Sequence, residues 1–183
     1  GKDKALKCGE EFKVFNYGFY RKTEKEIKIG YLYPRNSYDL MKAVVNGIYT
    51  FAKLGKYHGE KDLYTMAGLL DLDVKAMVRE EYEVGDITDY KRAANKLQKI
   101  EGIDLVIALV PDGMEEDGPY NPFKTIWAKA NIPSQMISMK TAKLFAEEAK
   151  EGNKAKNNSR YYLHNIILGI LGKTGGIPWV VKD

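Results

Sequence analysis

A chain of 183 residues with 44% hydrophobic content has material for one ordinary core, so one domain with a short lead is expected. A single cysteine, Cys8, excludes an internal disulfide, and His58 and His164 alone give no zinc-ligand spacing; no apolar run approaches a membrane span, and no signal-peptide core follows Gly1, so the expected address is the cytoplasm. The net charge of +4 is unevenly divided: residues 1–120 carry 19 Lys/Arg against 21 Asp/Glu, and residues 121–183 carry 10 against 4, an excess that suits an anionic partner.

Residues 1–26 alternate charge with Phe12, Val14, Phe15, Tyr17, Phe19 and Tyr20, and read as an extended lead or hairpin packed on the domain. Residues 27–33 form a strand stopped by Pro34. Ser37 then caps a helix whose inner face carries Leu40, Met41, Val44, Val45, Ile48 and Phe51. Across 60–80, the spacing of Met66, Leu69, Leu70, Met77 and Val78 suggests helical pieces. Residues 82–84 suit a short strand, and Thr88 caps a helix that runs to about Ile100 and ends at Gly102. Residues 103–110 are the strongest strand, a nearly unbroken apolar run of the kind a parallel strand covered on both faces requires.

Further on, a helix opens near Asn121, a fourth strand covers 134–137, and a helix covers 141–150. A polar loop then leads to a final helix over 159–172. Strands alternating with helices predict an α/β fold: a Rossmann-like open parallel sheet of about four strands, helices on both faces, over residues 27–183. Ligands of such sheets sit outside the carboxyl ends of the strands, at the switch point. That topology is expected to bring Tyr120, Lys124 and Gln135 to one edge.

Three short stretches carry the chemistry: Tyr120-Asn121-Pro122-Phe123-Lys124, then Ser134-Gln135, then Gly172-Lys173-Thr174-Gly175-Gly176. Asn121 is a good N-cap, and Pro122 at the first helical position loses nothing by lacking an N–H. Lys124 then falls in the first turn, where a cation opposes the helix dipole unless an anion binds beside it. Free N–H groups at a helix start, with a lysine nearby, suit a phosphate. Each residue also has a plain structural reading. Tyr120 is one of thirteen tyrosines and can cover an apolar edge, Gln135 can be a satisfied core amide, and Lys173 at a helix end is what dipole rules favour. The order and spacing of the set carry the functional reading.

That order and spacing resemble the MID domain of prokaryotic Argonaute proteins, where Tyr-x-x-x-Lys opens a helix, a glutamine follows on the next strand, and Lys-x-Gly-Gly follows the next long helix. Here the matching residues are Tyr120 and Lys124, Gln135, and Lys173 before Gly175 and Gly176. Asn165 stands where the family often has a polar residue, and Gly176-Ile177-Pro178-Trp179 looks like the junction into a PIWI domain. The resemblance is specific over 105–181 and general before it. Gly169 departs from it, since many relatives have a basic residue there, which leaves the phosphate shell one charge short or completed from outside.

The resemblance implies a module that anchors the 5′-phosphorylated end of a guide DNA or RNA, with Tyr120, Lys124, Gln135 and Lys173 on the phosphate. It further implies Tyr120 stacked on the first base, with Asn121, Met136 and Asn165 around the pocket. It implies no catalysis by this chain and no tightly bound cofactor. A divalent cation, Mg, would bridge the phosphate to a carboxylate of the PIWI domain of the same parent chain. A monomer with no membrane partner is expected, and a charged fraction of 30%, mostly Lys and Glu, leans towards a thermophilic source.

The alternative is a flavodoxin-like domain binding a free phosphorylated small molecule, such as flavin mononucleotide or a sugar phosphate. It would need a phosphate loop after the first strand, where Pro34-Arg35-Asn36-Ser37 offers no glycine. Gly172-Lys173-Thr174 is no P-loop either, because Ile167 stands at the required glycine and a helix precedes it. The run Glu115-Glu116-Asp117 reads as a solvated loop tip, which the resemblance places against the first guide base.

Overall fold

The computed structural model describes residues 21, 25–54, 72–112, 120–151 and 159–177. In chain order these give β1 (Lys25–Pro34), α1 (Tyr38–Leu54), β2 (Leu72–Tyr82), α2 (Ile87–Gln98), β3 (Leu105–Val110), α3 (Tyr120–Lys129), β4 (Ser134–Ser138), α4 (Met139–Glu151) and α5 (Ser159–Lys173). The four strands form one sheet in the order β2-β1-β3-β4, with every pairing parallel.

Side-chain alternation along the strands feeds two cores. Ile27, Ile29, Tyr31 and Tyr33 of β1, with Leu105, Ile107, Leu109 and Ile137, face α1, α4 and α5. Leu32, Val106, Ala108, Val110 and Met136 face α2 and α3, where Tyr90, Leu97, Phe123 and Trp127 cover them. Every residue of β3 is buried, as its apolar run requires. On the second face, the Trp127 indole N–H donates to the Tyr90 hydroxyl at 2.8 Å, and the Tyr82 hydroxyl donates to the Leu109 carbonyl at 2.8 Å. Burial raises the pKa of both tyrosines well above the usual range, so both stay neutral hydrogen-bonding groups.

The three-layer α/β architecture agrees with the sequence reading, and several boundaries move. The stretch holding Met77 and Val78 is strand β2, not helix, and Tyr82 ends that strand instead of opening one. Pairing with β1 along its length overrides the helix-like spacing. Asp86, not Thr88, caps α2: its carboxylate accepts from the Thr88 and Asp89 N–H groups at 2.8 and 3.1 Å. Helix α4 begins at Met139, with the Ser138 hydroxyl accepting from the Thr141 N–H at 3.1 Å. Residues 60–71 and the loop holding Glu115–Asp117 lie outside the described residues, as does nearly all of the expected lead.

Of that lead, Arg21 forms an antiparallel bridge with Ile177 through paired backbone bonds of 2.9 and 2.7 Å. Its guanidinium also donates to the Gly175 carbonyl at 3.1 Å. Gly175 has φ +90°, a left-handed value that lets the Gly176 N–H turn back to the Leu171 carbonyl at 2.9 Å and close α5.

Candidate functional site

Helix α3 begins at Tyr120, one residue before the expected Asn121 cap, so Lys124 is its fifth residue and lies just past the first turn. Pro122 is still tolerated there, because the first four N–H groups of a helix have no internal partner. The ammonium of Lys124 reaches the start of β4 and donates to the Ser134 carbonyl at 2.5 Å. Gln135 follows in the strand with its side chain on the α5 side of the sheet. Its Oε1 accepts from the ammonium of Lys173, the last residue of α5, at 2.5 Å, and its Nε2 donates to the Met136 carbonyl at 3.3 Å.

Strand register explains why these groups meet. The Pro133 carbonyl accepts from the Val106 N–H, so it points at β3, and the alternation of strand carbonyls turns those of Ser134 and Met136 outward. Among the described residues no strand pairs with that outer side of β4. Lys124 and Gln135 supply the donors that a neighbouring strand would otherwise give.

The cluster therefore sits against the side of β4 with which no described strand pairs, near its amino end, and not at the carboxyl ends of the strands. Among the described residues, groups at the carboxyl ends of β1 and β3 are engaged within the protein. Asp112, just after β3, accepts from the Lys140 N–H at 2.6 Å in the first turn of α4. After β1, the Arg35 N–H donates to the Tyr82 carbonyl and the Ser37 N–H to the Pro34 carbonyl, while the Arg35 guanidinium lies 3.7 and 3.6 Å from Glu83 and Asp89. The Arg35 and Ser37 N–H groups are thus engaged within the protein and not turned to the phosphate that the flavodoxin-like alternative would place after β1.

The electrostatics of the cluster are lopsided. Lys124 and Lys173 are both half-buried, and among the described residues neither has a carboxylate partner. Burial pushes the Lys124 pKa down. Burial, with the nearby Lys124 charge adding to it, pushes Lys173 down to about 8. Two cations drawn together and partly desolvated, with only neutral oxygens to meet them, make a place where an anion would be strongly favoured. Two ammonium groups and a carboxamide do not by themselves suit a cation.

The other pocket residues expected from the sequence divide differently. Tyr120 opens α3, but its side chain and that of Asn121 lie outside the described residues. Met136 is a correction: strand alternation sends its side chain into the opposite core beside Trp127, and only its carbonyl meets the cluster. Asn165 is exposed on α5, two turns before Lys173 and about 12 Å from it along the helix axis. What the sequence did not reveal is the part played by backbone: the Ser134 carbonyl, and the space at Gly169. An added Cβ at Gly169 would stand 2.6 Å from Gln135 Oε1 and 3.3 Å from Lys173 Nζ. Gly169 is thus in the site as an empty space, and a glycine inside a long helix was the available signal.

No protein-family model matches this chain, and neither does any curated protein. Among solved structures, Clostridium butyricum Argonaute bound to a guide DNA with 5′ deoxycytidine and a 19-mer target DNA aligns over 94% of this chain at 40% identity, with a TM-score of 0.72. This is an Argonaute MID-like domain. It spans 23% of the length of that Argonaute chain. Marinitoga piezophila Argonaute in complex with 5′ OH guide RNA also aligns over 94% of this MID-like chain, and over 25% of its own length, at 14% identity and a TM-score of 0.48. Among the described residues, no helix of the MID-like domain is long and apolar enough to cross a membrane.

Proposed function

We propose that this MID-like domain is a guide-binding module that holds the 5′-phosphorylated end of a DNA or RNA strand. The observation that carries the reading is the pair of half-buried lysines, Lys124 and Lys173, meeting around Gln135 with no carboxylate partner among the described residues. The likeness to an Argonaute solved with guide DNA supports it. A terminal phosphate carries more charge than an internal one, so two ammonium donors favour a strand end over a strand interior.

In this reading the domain binds and does not catalyse; strand cleavage, where the parent protein performs it, belongs to a PIWI domain of the same chain. A divalent cation at the bound phosphate would need a carboxylate from outside the cluster. Titration with matched oligonucleotides tests the assignment. The expected result is tighter binding of the 5′-phosphorylated strand than of its 5′-hydroxyl counterpart; equal affinity would overturn it.

We also propose that the Tyr120 ring stacks on the first base. Stacking on an aromatic side chain contributes roughly 1–3 kcal/mol per base. Tyr120→Ala is expected to lose that amount in the same titration while Tyr120→Phe retains most of it. An alanine variant that binds as tightly as the parent would take the base off this ring.

A further inference from the structure

We infer that Gly169 is a positioning residue of the anion site: its missing side chain is what allows the Gln135 carboxamide to lie beside the Lys173 ammonium. The inference rests on the reading of this cluster as an anion site. Gly169 is the eleventh of the fifteen residues of α5, inside the helix and away from its ends. Glycine is the poorest choice there apart from proline, so a reason for it is needed. Backbone conformation supplies none, since among the described residues the positive-φ glycines are Gly85, Gly102 and Gly175.

Space supplies the reason. A Cβ at 169 would stand 2.6 Å from Gln135 Oε1, 3.5 Å from its Cδ and 3.3 Å from Lys173 Nζ. The first distance is shorter than a carbon and an oxygen tolerate, and the group that must yield is the tip of a flexible side chain. The helix can therefore keep its place while the carboxamide gives way. Gln135 would leave Lys173 without its acceptor, and the Met136 carbonyl would lose the Nε2 donor. Gly172, three residues on, is a built-in comparison: a Cβ there meets nothing within 4 Å.

The expected behaviour separates position from stability. Gly172→Ala should raise stability through helix propensity and leave binding unchanged. Gly169→Ala should fold at least as well as the parent, yet bind a 5′-phosphorylated oligonucleotide about tenfold more weakly, the scale of one hydrogen bond to a charged group. In a Gln135→Ala background the same change should cost almost nothing, because the group it displaces is gone. Gly169→Ala that binds like the parent, or a penalty that persists undiminished without Gln135, would overturn the inference.

A second readout needs no oligonucleotide. The Lys173 side chain, followed by NMR, should titrate at lower pH in Gly169→Ala than in the parent, because an acceptor for its charged form has been removed. An unchanged titration would also overturn the inference. If instead the parent fails to distinguish the two strand ends while Gly169→Ala still shifts the titration, the guide-end reading fails and the positioning role stands.

Discussion

Replacing Trp127 with alanine should remove about 3–5 kcal/mol of folding stability, the usual scale for deleting a buried large aromatic. Trp127 is fully buried on the inner side of α3. It joins an aromatic group in which Tyr90 and Phe123 lie 4.2 Å apart between ring centroids, and Tyr82 and Tyr90 4.9 Å. Its indole N–H is also the donor to the buried Tyr90 hydroxyl. The alanine variant would thus combine a cavity with a lost buried hydrogen bond. Domains are stable by only about 5–15 kcal/mol, so the change consumes a large share. Urea unfolding should show a lower midpoint at an unchanged slope. A loss below about 1 kcal/mol would mean that α3 is anchored elsewhere. The anchoring matters for function because Phe123 and Trp127 fix the helix from which Lys124 reaches Ser134.

The second large effect belongs to the lysines. Lys173→Ala should weaken binding of a 5′-phosphorylated strand by about 10- to 100-fold, as expected for one charge-assisted hydrogen bond. Removing Lys124 as well should abolish the preference for the phosphorylated end. If the double variant still prefers that end, the site lies elsewhere. The pH dependence is a sharper form of the same expectation. With its pKa at about 8 in the fold against 10.5 ordinarily, Lys173 carries fewer protons folded than unfolded between those values. Folding stability should therefore rise with pH across that window. Anion binding should move the other way, weakening above pH 8 as Lys173 loses its proton, while the phosphate is already fully ionised. Calorimetry near pH 8 in buffers of different ionisation enthalpy should detect proton uptake on binding. Affinity that stays flat through this range would contradict the part given to Lys173.

The structure alters one expectation about Lys124. Its position in α3 suggests that removing it would relieve the helix dipole and leave folding intact or improved. Since its ammonium satisfies the Ser134 carbonyl, Lys124→Ala should instead give up a fraction of a kcal/mol to about 1 kcal/mol.

Much of the fold was legible because burial writes itself into composition. The run 103–110 read as a strand covered on both faces, of which 105–110 is the strand in the fold, and the pattern of Met41, Val44 and Ile48 read as one face of a helix. Strand β2 was misread because it lies at the edge of the sheet, where no covered run is needed, and Arg79–Glu83 hid its end. Asp86 and Thr88 are both competent caps, and propensity cannot choose between them. In the site, residue types and spacing pointed to Lys124, Gln135 and Lys173. Their meeting place could not be read, because it depends on β4 ending the sheet among the described residues and on which of its carbonyls turn outward. Gly169 looked like a missing charge; in the fold it is room.

The outward carbonyls of β4 have a consequence beyond ligand binding. An uncovered strand edge is a template on which a second copy of a chain can add its own strand. Here Lys124 and Gln135 occupy the acceptors at Ser134 and Met136, so the groups proposed to hold an anion also engage carbonyls to which no strand pairs among the described residues. Variants that strip these side chains bare the edge, and their oligomeric state has to be followed alongside their affinity. An anion that draws the same side chains towards itself would leave those two carbonyls without these donors for as long as it stays.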